Sequence, residues 1–134
     1  MVKETIKYTD WNGTEREETF RFNLTESELA EWELSQEGGL KDYLERMIKA
    51  QDRPAIIKMF KDIILKSYGE LSPDGRNFVK SPEISAAFTQ TKAYDQIFMS
   101  LIQNEEKMAT FIREVCPKEY KSTGGLEIVK NNEQ

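Results

Sequence analysis

The sequence predicts a mainly α protein: an N-terminal β-hairpin at about residues 4–23, then about six short helices. Residues 1–117 form one compact α-rich domain and residues 118–134 a mobile tail. Three observations carry this. The dipeptide Asn12-Gly13 between two alternating runs is a hairpin turn signal. Capping residues recur ahead of apolar stripes with helical spacing. The chain is 134 residues long, enough for one real core.

The hairpin comes first. A two-residue turn at Asn12-Gly13 places Ile6 opposite Thr19, and the apolar residues of the two strands then fall on opposite faces. Because side chains alternate with period two, a one-residue shift brings Ile6, Tyr8, Phe20 and Phe22 onto one face. The expected register pairs Ile6 with Phe20 and Asp10 with Arg16. It needs a three-residue loop or a bulge, with Gly13 in the left-handed conformation. A two-stranded hairpin is marginal alone, so it must pack on helices or gain strands from another copy.

The first helix opens at Thr25-Glu26-Ser27-Glu28, a capping box, with Leu24 and Leu29 placed as a hydrophobic staple. Trp32 reads as core, and Gly38-Gly39 as the stop. A second helix carries Leu40, Tyr43, Leu44, Met47 and Ile48 on one face. Asp52 and Pro54 start a third, the most apolar, from Ala55 to Tyr68 and ended by Gly69. The segment around Pro73-Asp74-Gly75 reads as a loop. Ser81-Pro82 starts a fourth helix, which carries Ile84, Ala87 and Phe88. After a break at 89–91 a fifth turns Tyr94, Ile97, Phe98, Leu101 and Ile102 inward. Asn104 caps a sixth, with Met108, Phe111, Ile112 and Val115 inward, and Pro117 stops it. Beyond Lys118 there is no helical period, although Leu126, Ile128 and Val129 are candidates to order on a partner.

Composition excludes several functions. The net charge of −5 argues against nucleic acid, which wants a basic face. The absence of histidine removes the commonest general base and metal ligand. One cysteine, Cys116, forms no disulfide framework and sits at a helix C-terminus, where a thiolate is disfavoured. No apolar run reaches membrane-span length and no signal peptide is apparent, so a reducing, cytosolic setting is expected and no membrane partner. Asp74-Gly75 lacks the alternating acids of a calcium loop, and Gly38-Gly39 lacks the lysine of a phosphate loop. No catalytic residue, metal ligand or cofactor site is assigned.

Candidate partner contacts are Trp11, Glu28, Glu31, Lys58, Lys61, Leu65 and Met99. Glu26, Glu28, Glu31, Glu33 and Glu37 make the first helix acidic, while five basic residues and two acids lie between Lys49 and Lys66. One reading is ordinary solvated charge. The other is a head-to-tail homo-oligomer, the acidic helix of one copy facing the basic helix of the next. Leu65 and Met99 fall on charged stripes, off the predicted core. Trp11, at a hairpin tip, is either folded back or docked on a partner. The hairpin itself reads either as an assembly element, adding a free edge or Trp11 to a neighbour, or as a cover for one end of the helical core.

Tyr68-Gly69-Glu70, Ser72, Asp74-Gly75-Arg76, Phe78, Lys80-Ser81, Phe88, Thr91, Ala93-Tyr94 and Phe98 resemble, in order and spacing, the tail assembly chaperones of long-tailed bacteriophages. So does the opening, with TDWNG at the turn and FRFNLTESEL leading into a helix. The likeness covers about residues 3 to 117. It implies a small, non-catalytic helical protein of the infected host's cytoplasm, absent from the mature virion. It implies binding to the helical tape measure protein, keeping it soluble, and recruitment of tail tube protein. Such chaperones often occur in a short form, which this chain would be, and a longer frameshifted form. A structural tail completion or connector protein is the alternative. A host-directed inhibitor or an enzyme on a helical scaffold are further readings.

Overall fold

The computed structural model describes residues 1–35, 46 and 49–117. Strands β1 (Val2–Thr9) and β2 (Glu15–Phe22) form the hairpin. Helices α1 (Glu26–Ser35) and α2 (Arg53–Ser67) precede two short strands, β3 (Tyr68–Leu71) and β4 (Phe78–Val79). Helices α3 (Pro82–Thr89), α4 (Lys92–Ile102) and α5 (Glu105–Val115) complete the order. The strands make one antiparallel sheet in the order β1-β2-β3-β4. The expectation of a mainly α fold with about six helices is therefore corrected. This is a four-stranded sheet with five helices among the described residues. The helix expected on Leu40, Tyr43, Leu44, Met47 and Ile48, and the tail from Lys118, lie outside the described residues.

The missed half of the sheet is β3 and β4. Tyr68 continues the apolar stripe of α2, so it reads as helical, but its ψ of 138° turns the chain into β3. Tyr68 pairs with Phe22 and Gly69 with Arg21. The 72–77 segment is a hairpin connection, with Ser72 N–H donating to Asn77 O at 2.8 Å and Gly75 at φ +77°.

Gly69 is required here for space. A Cβ there would lie 2.8 Å from Cε2 of Phe78. Gly69→Ala must push the half-buried ring aside, with an expected loss of about 1–3 kcal/mol in urea unfolding. In a Gly69→Ala, Phe78→Ala double variant the losses sum to less than the two singles, because one clash is removed.

The hairpin register is also corrected. Ile6 pairs with Glu18, Tyr8 with Arg16 and Val2 with Phe22, so the ladder lies two residues from the expected Ile6–Phe20 pairing. Parity is unchanged, and Ile6, Tyr8, Phe20 and Phe22 do share the inward face. The cause is the tip. Asp10 Oδ1 accepts from the N–H groups of Asn12 and Thr14, both at 2.9 Å, closing a three-residue loop with Gly13 at φ +84°.

Local signals place the helices well. Thr25 and Glu28 exchange the two bonds of the capping box, at 2.8 and 3.1 Å, and Leu24 and Leu29 are both buried. The side chains of Asp52, Ser81, Thr91 and Asn104 each accept from the first turn of the helix they start. Met59, Phe60, Ile63 and Ile64 make α2 the central helix. On α3 Ala87 is exposed and Phe88 is buried. Asn23 N–H donates to Ser67 O and Leu24 N–H to Val115 O, tying the end of β2 to α2 and α5.

Phe22, Tyr68, Phe88, Phe60 and Phe111 form a continuous aromatic cluster where sheet meets helices. Tyr68 stacks on Phe88 at 4.0 Å, and burial pushes its hydroxyl up to about 12, with the charge of Glu70 adding to the shift. The folded value lies above the unfolded one, so the neutral ring contributes fully below about pH 10. That contribution is lost as pH rises from about 10 toward 12. Urea midpoints measured from pH 9 to 12 should fall in that window, and Tyr68→Phe should flatten this part of the slope.

Candidate functional site

Among the described residues no group of three or more histidine, cysteine, aspartate or glutamate side chains could hold a metal. None of the described helices is long and apolar enough to cross a membrane. The described surface instead offers exposed apolar groups, strand edges and an open groove.

The hairpin tip is the most exposed apolar feature. Arg16 Nε donates to Asp10 Oδ2 at 2.7 Å, and that bond, with the Thr14 and Asn12 N–H groups, holds the Asp10 carboxyl below the usual range. The rigid loop projects Trp11, which is 75% exposed. Its Nε1 donates to Gln90 O at 2.9 Å, and Lys92 Nζ lies 5.3 Å from the ring centroid. The tip is thus folded back onto the α3–α4 junction, with one indole edge bonded and most of the ring in solvent.

From there the hairpin lies along α4. Gln96 Nε2 donates to Lys7 O at 3.2 Å. Lys92, Gln96 and Met99 share one stripe of the helix by spacing. Met99 is 41% exposed. Trp11 and Met99, far apart in sequence, therefore lie on the same flank, beside β1. An open groove of about 610 Å³ continues this flank between β1, α4 and α5, with Ile6, Ile97, Leu101 and Phe111 among its lining and Glu4, Glu106 and Glu114 around them.

The other sequence candidates lie elsewhere. Glu28 is committed within the fold: besides capping α1, both its carboxylate oxygens accept from Lys80 Nζ at 2.8 Å. Glu31 is exposed on α1. Lys58 and Lys61 are exposed on α2, Lys58 with Asp62 at 3.7 Å, a surface pair of small worth. Leu65 is half-buried and packs against the core, and its carbonyl accepts from Ser85 Oγ. The acidic and basic helices are therefore not brought together with the Trp11 flank.

Sequence reasoning missed three features. Lys80 reaches Glu28 across 52 positions. Leu71 and Val79, 44% and 42% exposed, belong to the unrecognised β3–β4 hairpin. On the outer sheet face Lys3 stands directly opposite Arg21, whose Nε is buried and unbonded. Only the alternation of Phe78-Val79 after Asp74-Gly75 offered a signal for any of these.

Residues 1–132 match the model of a family described as phage tail assembly chaperone. No curated protein and no solved structure matches the chain. The match covers nearly the whole sequence, and the chain belongs to the phage tail assembly chaperone family.

Proposed function

We propose that this tail assembly chaperone binds the helical tape measure protein and keeps it soluble in the host bacterial cytoplasm. In this reading it helps recruit tail tube protein and is absent from the mature virion. It acts without catalysis or cofactor, as a homo-oligomer that also associates with a longer frameshifted form of itself. The observation that carries the reading is the family match over residues 1–132.

The surface is consistent with such work. A long helix with apolar stripes is an aggregation hazard until covered. The described surface offers separate apolar contacts, Trp11, Met99, Leu71 and Val79, rather than one deep pocket. Weak contacts of this kind gain strength when repeated over many copies along one client. The net charge of −5 keeps the uncomplexed subunit soluble.

Co-expression with the neighbouring tape measure protein, affinity purification and light scattering test the reading. The expected result is a soluble complex holding many copies of this chain per tape measure. A tape measure that stays insoluble while this chain elutes alone, also when the longer form is supplied, overturns it. Mass spectrometry of purified particles separates it from the structural tail component, since a chaperone is missing from them.

A further inference from the structure

We infer that the free edge of β1 pairs with the β1 of a second copy, antiparallel about a two-fold axis at Ile6. This rests on the self-association in the proposed function and names the surface that performs it.

Strand β1 is the outer strand of the sheet among the described residues, and it is eight residues long. The bond from Asp10 N–H to Thr14 O sets the alternation of the ladder. Val2, Glu4, Ile6 and Tyr8 therefore point their backbone groups at β2, and Lys3, Thr5, Lys7 and Thr9 point theirs outward. The bond from Gln96 to Lys7 O shows one such outward acceptor at bonding distance, with a second lone pair to spare. Proteins blunt edges of this length with charged side chains, lysine above all, or with proline, bulges or covering segments. β1 carries Lys3 and Lys7 and is touched by α4 at Lys7 O, but it has no proline and pairs with β2 without a bulge. The open groove beside it leaves room against Glu4 and Ile6.

The sequence of β1 selects the occupant and the register. A two-fold axis makes the contact self-complementary. Keeping the inward faces together requires outward residues to bond outward residues, which leaves four registers of useful length. Centring on Glu4 sets two glutamates face to face. Centring on Thr5 sets Lys3 against Lys7 twice, and centring on Lys7 sets two lysines together. Centring on Ile6 alone opposes no like charges: Ile6 meets Ile6, Glu4 meets Tyr8, Thr5 meets Lys7, and Lys3 meets Thr9.

Two variants and a control, Glu4→Cys, test this in the full chain. Thr5→Pro removes one outward N–H and leaves the β1–β2 ladder intact. Ile6→Cys places two thiols across the axis, where non-bonded antiparallel pairs approach most closely. Light scattering of the unmodified chain is expected to give a multimer of the 15.6 kDa subunit. Thr5→Pro should halve that mass or lower it to the monomer, with an unchanged circular dichroism spectrum. Under mild oxidation Ile6→Cys should give a covalent dimer on a non-reducing gel, whereas the unmodified chain, whose Cys116 is buried, and Glu4→Cys should not. A multimer that survives Thr5→Pro, or that does not crosslink through Ile6→Cys, overturns the β1 interface and leaves tape measure binding standing. An unmodified chain that is monomeric at every concentration overturns it as well. Co-purification of the tape measure is scored separately, so the two failures are distinguishable.

Discussion

Phe22→Ala is expected to lose about 3–5 kcal/mol, the largest effect of any single truncation among the described residues. Phe22 is fully buried and touches three rings on three different elements: Tyr68 at 5.7 Å on β3, Phe88 at 5.9 Å on α3 and Phe111 at 5.3 Å on α5. Removing it opens a cavity that no single neighbour can fill, since each of those rings is held by its own element. A domain of ordinary stability has about 5–15 kcal/mol in total, so the variant should unfold at low urea or fail to accumulate. Val2→Ala, directly opposite on β1 and half-buried, should lose far less. Urea midpoints for the two variants check this. A loss for Phe22→Ala no larger than that for Val2→Ala would mean the hairpin lies on the helices without being part of their core.

That prediction depends on a part of the fold the sequence shows only partly. Caps are legible because their chemistry is local: Thr25 with Glu28, Ser81 with Ile84 N–H, Asn104 with Lys107 N–H. Apolar stripes are legible for the same reason, and they put Phe60, Ile97 and Val115 inward correctly. Pairing is not local. The parity of the hairpin follows from its alternation, but its offset depends on one carboxylate, Asp10, gripping two amides of the loop. Tyr68 satisfies the helical stripe of α2 equally well, and only pairing with Phe22 makes it a strand residue. Leu65 looks off-core because α3, which bonds its carbonyl through Ser85 Oγ, is brought there from 20 positions away. The candidate surface follows the same rule. The exposure of Trp11 and Met99 is legible from turn and stripe. Their common flank is not, since it requires the hairpin to lie along α4.

The second large effect is expected at Glu28, and it separates a folding role from a partner role. Glu28 joins two devices at once. It closes the capping box of α1, worth about 1 kcal/mol. It also holds Lys80, whose Nζ lies 2.8 Å from both its oxygens and 2.6 Å from Asn23 O. Lys80 and Glu28 side chains are 19% and 35% exposed, so screening is incomplete and the charged bonds are worth more than a surface pair. Glu28→Ala should therefore lose about 2–3 kcal/mol, summing a lost cap and a stranded, partly buried ammonium. Glu28→Gln keeps a capping-box side chain and forfeits only the charge, so its loss should be near half of that. Lys80→Ala leaves the cap and should resemble Glu28→Gln. A Glu28→Ala, Lys80→Ala cycle should show coupling of about 1–2 kcal/mol. If Glu28→Gln and Lys80→Ala instead lose nothing, Glu28→Ala loses only about 1 kcal/mol and the pair is uncoupled, the ion pair contributes nothing and only the cap matters. In the co-expression assay Glu28→Gln is expected to recover as much tape measure as the unmodified chain, because the carboxylate already faces Lys80 across the fold. A loss of client with stability retained would return Glu28 to the binding surface, which would then have to include the α1 side of the molecule as well as the Trp11 flank.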